Sequence, residues 1–280
     1  MKLIADCGST KIDWVVLDGE KVVGTATTSG MNALMMSVEE MSERIKTELV
    51  PQIESSSITE VYYYGAGCIG QACNDVAEAV RKNFANVNVV EVNSDLLAAA
   101  RALCGKNKGI ACILGTGSNS CYYDGEKIVK NVSPLGYILG DEGSGAVLGK
   151  LLVGDLFKEQ LPAHLCNKFY DRFHLDRLEI ITRVYKQPGA NKFLASLSPF
   201  LCENIEEPAI HRLVLNAFKS FFVRNVENYD NFRDLPCNFV GSVAYHYRQV
   251  LEEAALTFGI NIDKVIKSPM EGLINYHINN

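Results

Sequence analysis

Four short stretches of this chain place acids, hydroxyls and glycines at spacings that suit phosphate and carbohydrate chemistry. The first is Asp6-Cys7-Gly8-Ser9-Thr10-Lys11, where an apolar run meets a tight turn. Such a turn aims several backbone N–H groups and hydroxyls at one point, which suits an oxyanion. Asp6, at the end of the run, is placed to hold Mg²⁺ through water, since that ion keeps most of its hydration shell. The plain alternative is a hairpin turn with a capping hydroxyl. The second stretch, Leu114-Gly115-Thr116-Gly117-Ser118-Asn119, repeats this turn chemistry. In the third, Val92-Asn93-Ser94-Asp95, an acid opens a helix after a strand. There it either complements the helix dipole or accepts a proton from an attacking hydroxyl. The fourth, Gly136-Tyr137-Ile138-Leu139-Gly140-Asp141-Glu142-Gly143-Ser144, has three glycines that let a loop approach a ligand closely.

Around the first turn, Lys2–Asp6, Ile12–Leu17 and Lys21–Thr28 read as strands, with Asp18-Gly19 as the second turn. Ser37 and Glu40 form a capping box, followed by Val38, Met41, Ile45 and Leu49 at helical spacing, with Pro51 as the stop. Val61–Tyr64 reads as a strand, Ala72–Phe84 as a helix, Val87–Val92 as a strand, and a helix starts near Ser94 or Asp95. The pattern then restarts. Gly109–Leu114, Cys121–Tyr123 and Lys127–Val132 are strands around the second glycine turn and Asp124-Gly125. This is a repeat of layout with slight residue identity. From Gly143 to Tyr229 the chain reads as mostly helical, broken at Pro162, Pro188-Gly189 and Pro208. Phe239-Val240, a helix over Val243–Phe258, a strand over Ile260–Ile266 and a helix after Pro269 complete it. The expectation is two α/β domains with a ligand cleft between them. Residues 1–105, with the C-terminal helix 270–280 as a candidate addition, form one, residues 106–269 with a helical insertion form the other, and the hinge lies near 103–108.

The composition, 48% hydrophobic and 21% charged over 280 residues, is that of an ordinary globular protein. A net charge of −6 argues against nucleic acid or anionic membrane as partner. It does not argue against ATP, whose phosphates are held by local amides and Mg²⁺. The nine cysteines contain no CxxC pair, and Cys7, Cys112 and Cys121 sit in apolar runs where a thiol acts as a small hydrophobe. The five histidines, at 164, 174, 211, 246 and 277, lack ligand spacing, which argues against structural zinc. No signal peptide is legible, and no apolar run approaches the roughly 20 residues that span a bilayer. The expectation is a reduced, cytoplasmic protein.

In order along the chain, DCGSTK, GTGSN and Phe239-Val240-Gly241-Ser242-Val243 resemble the two phosphate loops and the adenosine loop of actin/hexokinase (ASKHA) kinases. The G-x-x-x-G-D-E-G-S segment resembles that of the N-acetylglucosamine kinases within the BadF/BadG/BcrA/BcrD-type ATPase group. The ordered set spans residues 6 to 244. The resemblance implies two actin-like (ribonuclease H-like) α/β domains with a central ligand cleft. It implies ATP and Mg²⁺ as cofactors, with the nucleotide held by Asp6, Gly8, Ser9, Thr10, Lys11, Gly115, Thr116, Gly117, Gly241, Ser242 and Ala244. It makes Asp95 the general base, and Asn32, Asn119, Gly136 and Asp141 the contacts to an amino sugar. The implied reaction is phosphorylation of that sugar, N-acetylglucosamine at its 6-hydroxyl foremost. Glu142 either joins the sugar site or stabilises the next helix, and a homodimer stays open.

One motif points elsewhere. Gly65-Ala66-Gly67-Cys68-Ile69-Gly70 is a complete GxGxxG after a strand and before a helix, with Glu91 twenty-one residues after Gly70. That is the local context of an NAD-binding fingerprint. Against it stand the three-strand meander before residue 65, and the phosphate turns and GDEGS loop, which a dehydrogenase would leave without a role. Walker A is absent, since Ser144–Lys150 lacks the first glycine and is followed by Leu151. An iron–sulfur activator ATPase would need close cysteines at a dimer interface, and the closest pair, Cys68 and Cys73, flanks a turn and a helix. A non-catalytic sugar sensor is a further alternative, which Asp95 beside both phosphate turns argues against.

Overall fold

Alternating apolar runs broken by DG and glycine turns fold into antiparallel strands. In the computed structural model, which describes residues 1–8 and 10–279, these are Lys2–Cys7 (β1), Lys11–Asp18 (β2) and Lys21–Ser29 (β3). Two further strands, Glu60–Gly65 (β4) and Val89–Ser94 (β5), run parallel to β1, giving the order β3-β2-β1-β4-β5. Trp14 is buried in β2, and its indole N–H donates to Thr28 Oγ1 at 2.9 Å. Between the strands lie Val38–Arg44 (α1), Gln71–Arg81 (α2) and, after β5, Asp95–Cys104 (α3).

The Ser37–Glu40 capping box forms in full. The helix expected to run on to Leu49 instead changes pitch. A π-helical turn spans Ile45–Leu49, and Pro51 sits inside a 3₁₀ turn, Val50–Gln52. The wider turn keeps both Ile45 and Leu49 buried in the core.

The second unit repeats the plan. Gly109–Leu114 (β6), Ser118–Tyr123 (β7) and Ile128–Val132 (β8) are antiparallel. Cys237–Val240 (β9) is parallel to β6, and Ile262–Ile266 (β10) to β9, in the order β10-β9-β6-β7-β8. Strand for strand this is the topology of the first sheet. Six helices fill the stretch between β8 and β9: Gly136–Leu139 (α4), Gly145–Phe157 (α5), Ala163–Phe173 (α6), Arg177–Tyr185 (α7), Ala190–Glu203 (α8) and Pro208–Arg224 (α9). Pro162 and Gly189 are N-caps and Pro208 opens α9, so each expected break marks a helix start. The helix expected over Val243–Phe258 is two, Ser242–His246 (α10) and Arg248–Leu256 (α11). Tyr247 parts them, with its ring buried and its hydroxyl donating to the Ser198 carbonyl at 2.5 Å. The closing helix is Met270–Ile278 (α12).

By contacts the chain divides into Met1–Lys106 with Pro269–Asn280, and Asn107–Ser268. The C-terminal helix belongs to the first unit: Lys2 Nζ donates to the His277 carbonyl at 2.7 Å, and the Tyr64 hydroxyl meets His277 Nε2 at 2.8 Å. Among the described residues no helix is long and apolar enough to cross a membrane.

Candidate active site

In the first unit, register does the positioning. Asp6 lies opposite Tyr64 in β4, and Tyr64 opposite Asn93 in β5, so the carboxyl ends of three parallel strands finish together. That edge, where open α/β sheets bind ligands, carries Asp6, the Gly65–Gly70 turn and Asp95. Ser94 caps α3 by accepting from the Leu97 N–H at 3.2 Å, which fixes Asp95 as the first helical residue.

Asp95 is half-buried, and burial raises its pKa against the opposing pull of the Leu96 and Asp95 backbone N–H groups. Burial pushes Asp6 up as well, to about 6, with added repulsion from Asp13 and Asp95 and partial relief from Lys11. Asp13 is a residue that motif reading passed over. It faces Asp6 across the β1–β2 hairpin, and its oxygens hold Lys11 Nζ at 2.7 and 2.9 Å. Three carboxylates with one lysine among them make a site with surplus negative charge. Such a site suits a hydrated divalent cation.

The first hairpin is tighter than an open phosphate cradle. The Gly8 N–H is spent on the Lys11 carbonyl at 3.0 Å, and the Gly30 N–H donates to the Thr10 carbonyl at 2.9 Å. Gly8, Thr10 and Lys11 are exposed at its rim, while Ser9 lies outside the described residues. Asn32 is exposed, and its Oδ1 accepts from the Leu34 N–H at 3.1 Å. The Cys7 thiol donates to the Met31 carbonyl at 3.3 Å, which ties the Asn32 loop to the end of β1.

The ionisation of Asp6 has a stability consequence. Its folded pKa stands above the ordinary 3.8, so its charge costs native stability above about pH 6 and nothing below about pH 4. Asp6→Asn should therefore stabilise the protein at pH 8 by roughly 1–2 kcal/mol after discounting for partial exposure. At pH 4 the gain should vanish. Thermal melts at both pH values, with divalent cations chelated, check this, and an equal shift at both would contradict it.

In the second unit the corresponding strand ends carry Gly115 and Gly241. A β-carbon on Gly241 would lie 2.2 Å from the Leu114 carbonyl oxygen, and the backbone there has φ +126°. Only glycine allows the turn after β9 to touch the turn after β6. This turn after β9 is the topological counterpart of the Gly65–Gly70 turn after β4. The carbonyls of Gly115 and Thr116 accept from the Gly145 and Ala146 N–H groups at 2.8 and 3.1 Å, so the second hairpin is seated on the start of α5. The Gly115 N–H is itself spent on the Gly117 carbonyl at 3.0 Å.

Asp141 has a left-handed backbone, φ +54°, costly for a residue other than glycine. Its carboxylate lies against Gly117, where a β-carbon would come within 2.9 Å of Oδ2, and accepts from the Ser118 backbone N–H. Burial raises its pKa, Ser118 lowers it, Glu142 raises it and Lys150 lowers it. Asn119 Oδ1 accepts from the Ser120 N–H and from Asn131 Nδ2, both at 2.9 Å. Gly136, at φ +74°, opens α4 on the surface. Glu142 is taken by Arg224 and Asn225 on and just after α9. A cavity of about 340 Å³ beside this segment is lined by Ile138, Gly140, Glu142, Lys150 and Arg224 among others, but not by Asn119, Gly136 or Asp141.

Thr116 and Ser242 are partly or fully open to solvent. Ala244 is different: its methyl is fully buried in the core, which leaves its backbone as the part that could meet a nucleotide.

The NAD reading loses its local support. The helix begins only after the third glycine, with Gly70 as its N-cap, so the first two glycines do not bring a phosphate onto its N-terminus. Glu91 is engaged by Arg101 Nη1 and Asn93 Nδ2, both at 2.6 Å, rather than open to a ribose. The Cys68 thiol is buried and pushed up to about 12, the opposite of a cluster-binding thiolate. Among the described residues no His/Cys/Asp/Glu group is arranged to hold a metal by direct ligation.

No family model and no curated protein matches the chain. Among solved structures it is similar to the "Putative N-acetylglucosamine Kinase" of Porphyromonas gingivalis, with 49% identity over 100% of this chain and 99% of that one and a TM-score of 0.97. A second protein so described, from Chromobacterium violaceum, is 17% identical over 98% of both chains, with a TM-score of 0.70. A ROK family glucokinase from Streptomyces griseus, solved with glucose and AMPPNP, is 14% identical over 98% and 97%, with a TM-score of 0.53. The last two speak to fold alone, and the doubled sheet is the actin-like, ribonuclease H-like fold of the ASKHA superfamily. Near-complete coverage at 49% identity decides the rest: the chain belongs to the N-acetylglucosamine kinase-like family of that superfamily.

Proposed function

We propose that the protein is an ATP-dependent amino-sugar kinase that phosphorylates N-acetylglucosamine on its primary hydroxyl. The observation that carries this reading is the shared edge in the first unit, where strand register brings Asp95 beside the Asp6 hairpin. Asp95 would accept the proton of the sugar's primary hydroxyl as its oxygen bonds to the γ-phosphorus and the bond to the β-phosphate oxygen breaks, releasing ADP. Bound Mg²⁺ would supply neutralisation of phosphate charge. Asp6 would orient that ion through water, and Lys11 and the Thr10 rim would meet the phosphates. Gly115, Thr116 and Gly117 would line the nucleotide in the second unit, with Gly241 and Ser242 towards its adenosine. Asn32, Asn119, Gly136 and Asp141 would contact the sugar.

A ligand that binds only the native state stabilises it by mass action, by about 2.7 kcal/mol at a hundredfold excess over Kd. MgATP should therefore raise the melting temperature by several degrees, while NAD and NADP should leave it unchanged. A clear shift with NAD alone would restore the dehydrogenase reading.

A further inference from the structure

A left-handed residue other than glycine persists only where its surroundings hold it, and at Asp141 (φ +54°) the holding groups can be named. Its carbonyl accepts from the Ser144 N–H at 3.0 Å, and its carboxylate accepts from the Ser118 N–H. The next residue is Glu142, an acid with no part in the phosphoryl transfer proposed above. The cap of α5 is Ser144, whose Oγ accepts from the Val147 N–H at 3.2 Å. Glu142 is directed instead to the end of α9. Arg224 Nε donates to its Oε1, and Asn225 Nδ2 donates to its Oε2 at 3.4 Å.

This anchor is built into the packing. Phe218, Phe221, Arg224 and Asn225 follow one another at spacings that place them on one face of α9 and its C-cap. A β-carbon on Gly143 would stand 3.1 Å from Phe218 Cδ1 and 3.3 Å from Phe221 Cβ, so the segment lies directly on that face. Asn225 is buried, a costly place for an amide without a hydrogen-bond partner, and Glu142 supplies one. Exposure separates the two charged partners: 59% of the Arg224 side chain is open to solvent, against 17% of Glu142. Removing the arginine takes little from the core, but it leaves a mostly buried carboxylate without its cation. That carboxylate already repels Asp141.

We propose that Arg224 and Asn225, acting through Glu142, are positioning residues that hold Asp141 in its left-handed conformation with its carboxylate presented to the sugar. The inference rests on the sugar contact proposed for Asp141.

The test is calorimetric titration of N-acetylglucosamine. Arg224→Ala should bind the sugar about 3- to 10-fold more weakly, with nucleotide affinity within about twofold of wild type and a melting temperature within a few degrees. Arg224→Lys, which returns a cation to the pair, should recover most of the loss. The deciding arm is a double-mutant cycle. In an Asp141→Ala background, Arg224→Ala should cost no further sugar affinity, because its effect passes through the carboxylate already removed. Arg183→Ala, which breaks an exposed pair with Glu179 on α7, is the control and should bind sugar as the wild type does. Undiminished sugar affinity in Arg224→Ala, or an equal loss in both backgrounds, overturns the proposal while the kinase reading stands. Wild-type sugar affinity in Asp141→Ala removes Asp141 from the site and overturns the proposal with it. A wild type that binds no amino sugar overturns both readings.

Discussion

Asp95→Asn should fold, melt near the wild-type temperature and still bind sugar, yet transfer phosphoryl groups about 10²- to 10⁴-fold more slowly. The amide keeps the shape and hydrogen-bonding reach of the carboxylate but cannot accept the proton. The helix start should persist, because its cap is Ser94, whose Oγ holds the Leu97 N–H independently of Asp95. The loss should appear in kcat, with the KM for ATP little changed. If Asp95 served only the helix dipole, the variant would lose some stability and keep its turnover, and a rate within threefold of wild type would remove Asp95 from the chemistry.

Asp141→Ala carries the second large effect. Two roles are set against each other at this carboxylate: it accepts from Ser118 at the base of the second hairpin, where burial raises its pKa, and under the proposed function it also meets the sugar. If sugar hydroxyls complete its hydrogen bonds, their loss costs about 1–3 kcal/mol, or roughly 5- to 150-fold in sugar affinity. Separate calorimetric titrations of sugar and nucleotide into the variant, beside a melt, read the two roles apart. The expectation is a large drop for sugar and a small one for nucleotide. Equal losses for both, with a lowered melting temperature, would mean that Asp141 merely orders Gly117.

Much of this was legible in residues alone because the signals are local. Glycine and DG turns bracket the apolar runs of both meanders, so the repeat of layout could be read where identity could not. Ser94 followed by Asp95 after a strand announces a capped helix. Asp13 was also within reach once the turn is taken as residues 8–11: counting outward then pairs Cys7 with Ile12 and hence Asp6 with Asp13. What stayed hidden depends on contacts between distant residues. Nothing near Tyr247 signals a helix break, and at that break its buried ring lets its hydroxyl reach Ser198 on another helix. Ala244 resembles a loop residue by motif and is a core residue by packing. The GxGxxG turn satisfied every local rule for a dinucleotide site. Setting it aside required knowing that Glu91 is committed to Arg101 and that α2 starts only after the third glycine.

Transfer of phosphate from ATP to an amino sugar is read by ADP release with MgATP across a panel of hexoses and amino sugars, with the product's phosphorylation site assigned by NMR. ADP release should depend on sugar, run fastest with N-acetylglucosamine, fall to about 1% or less in Asp95→Asn, and yield the 6-phosphate. ADP release that is absent, or that proceeds at the same rate with no sugar present, would contradict it.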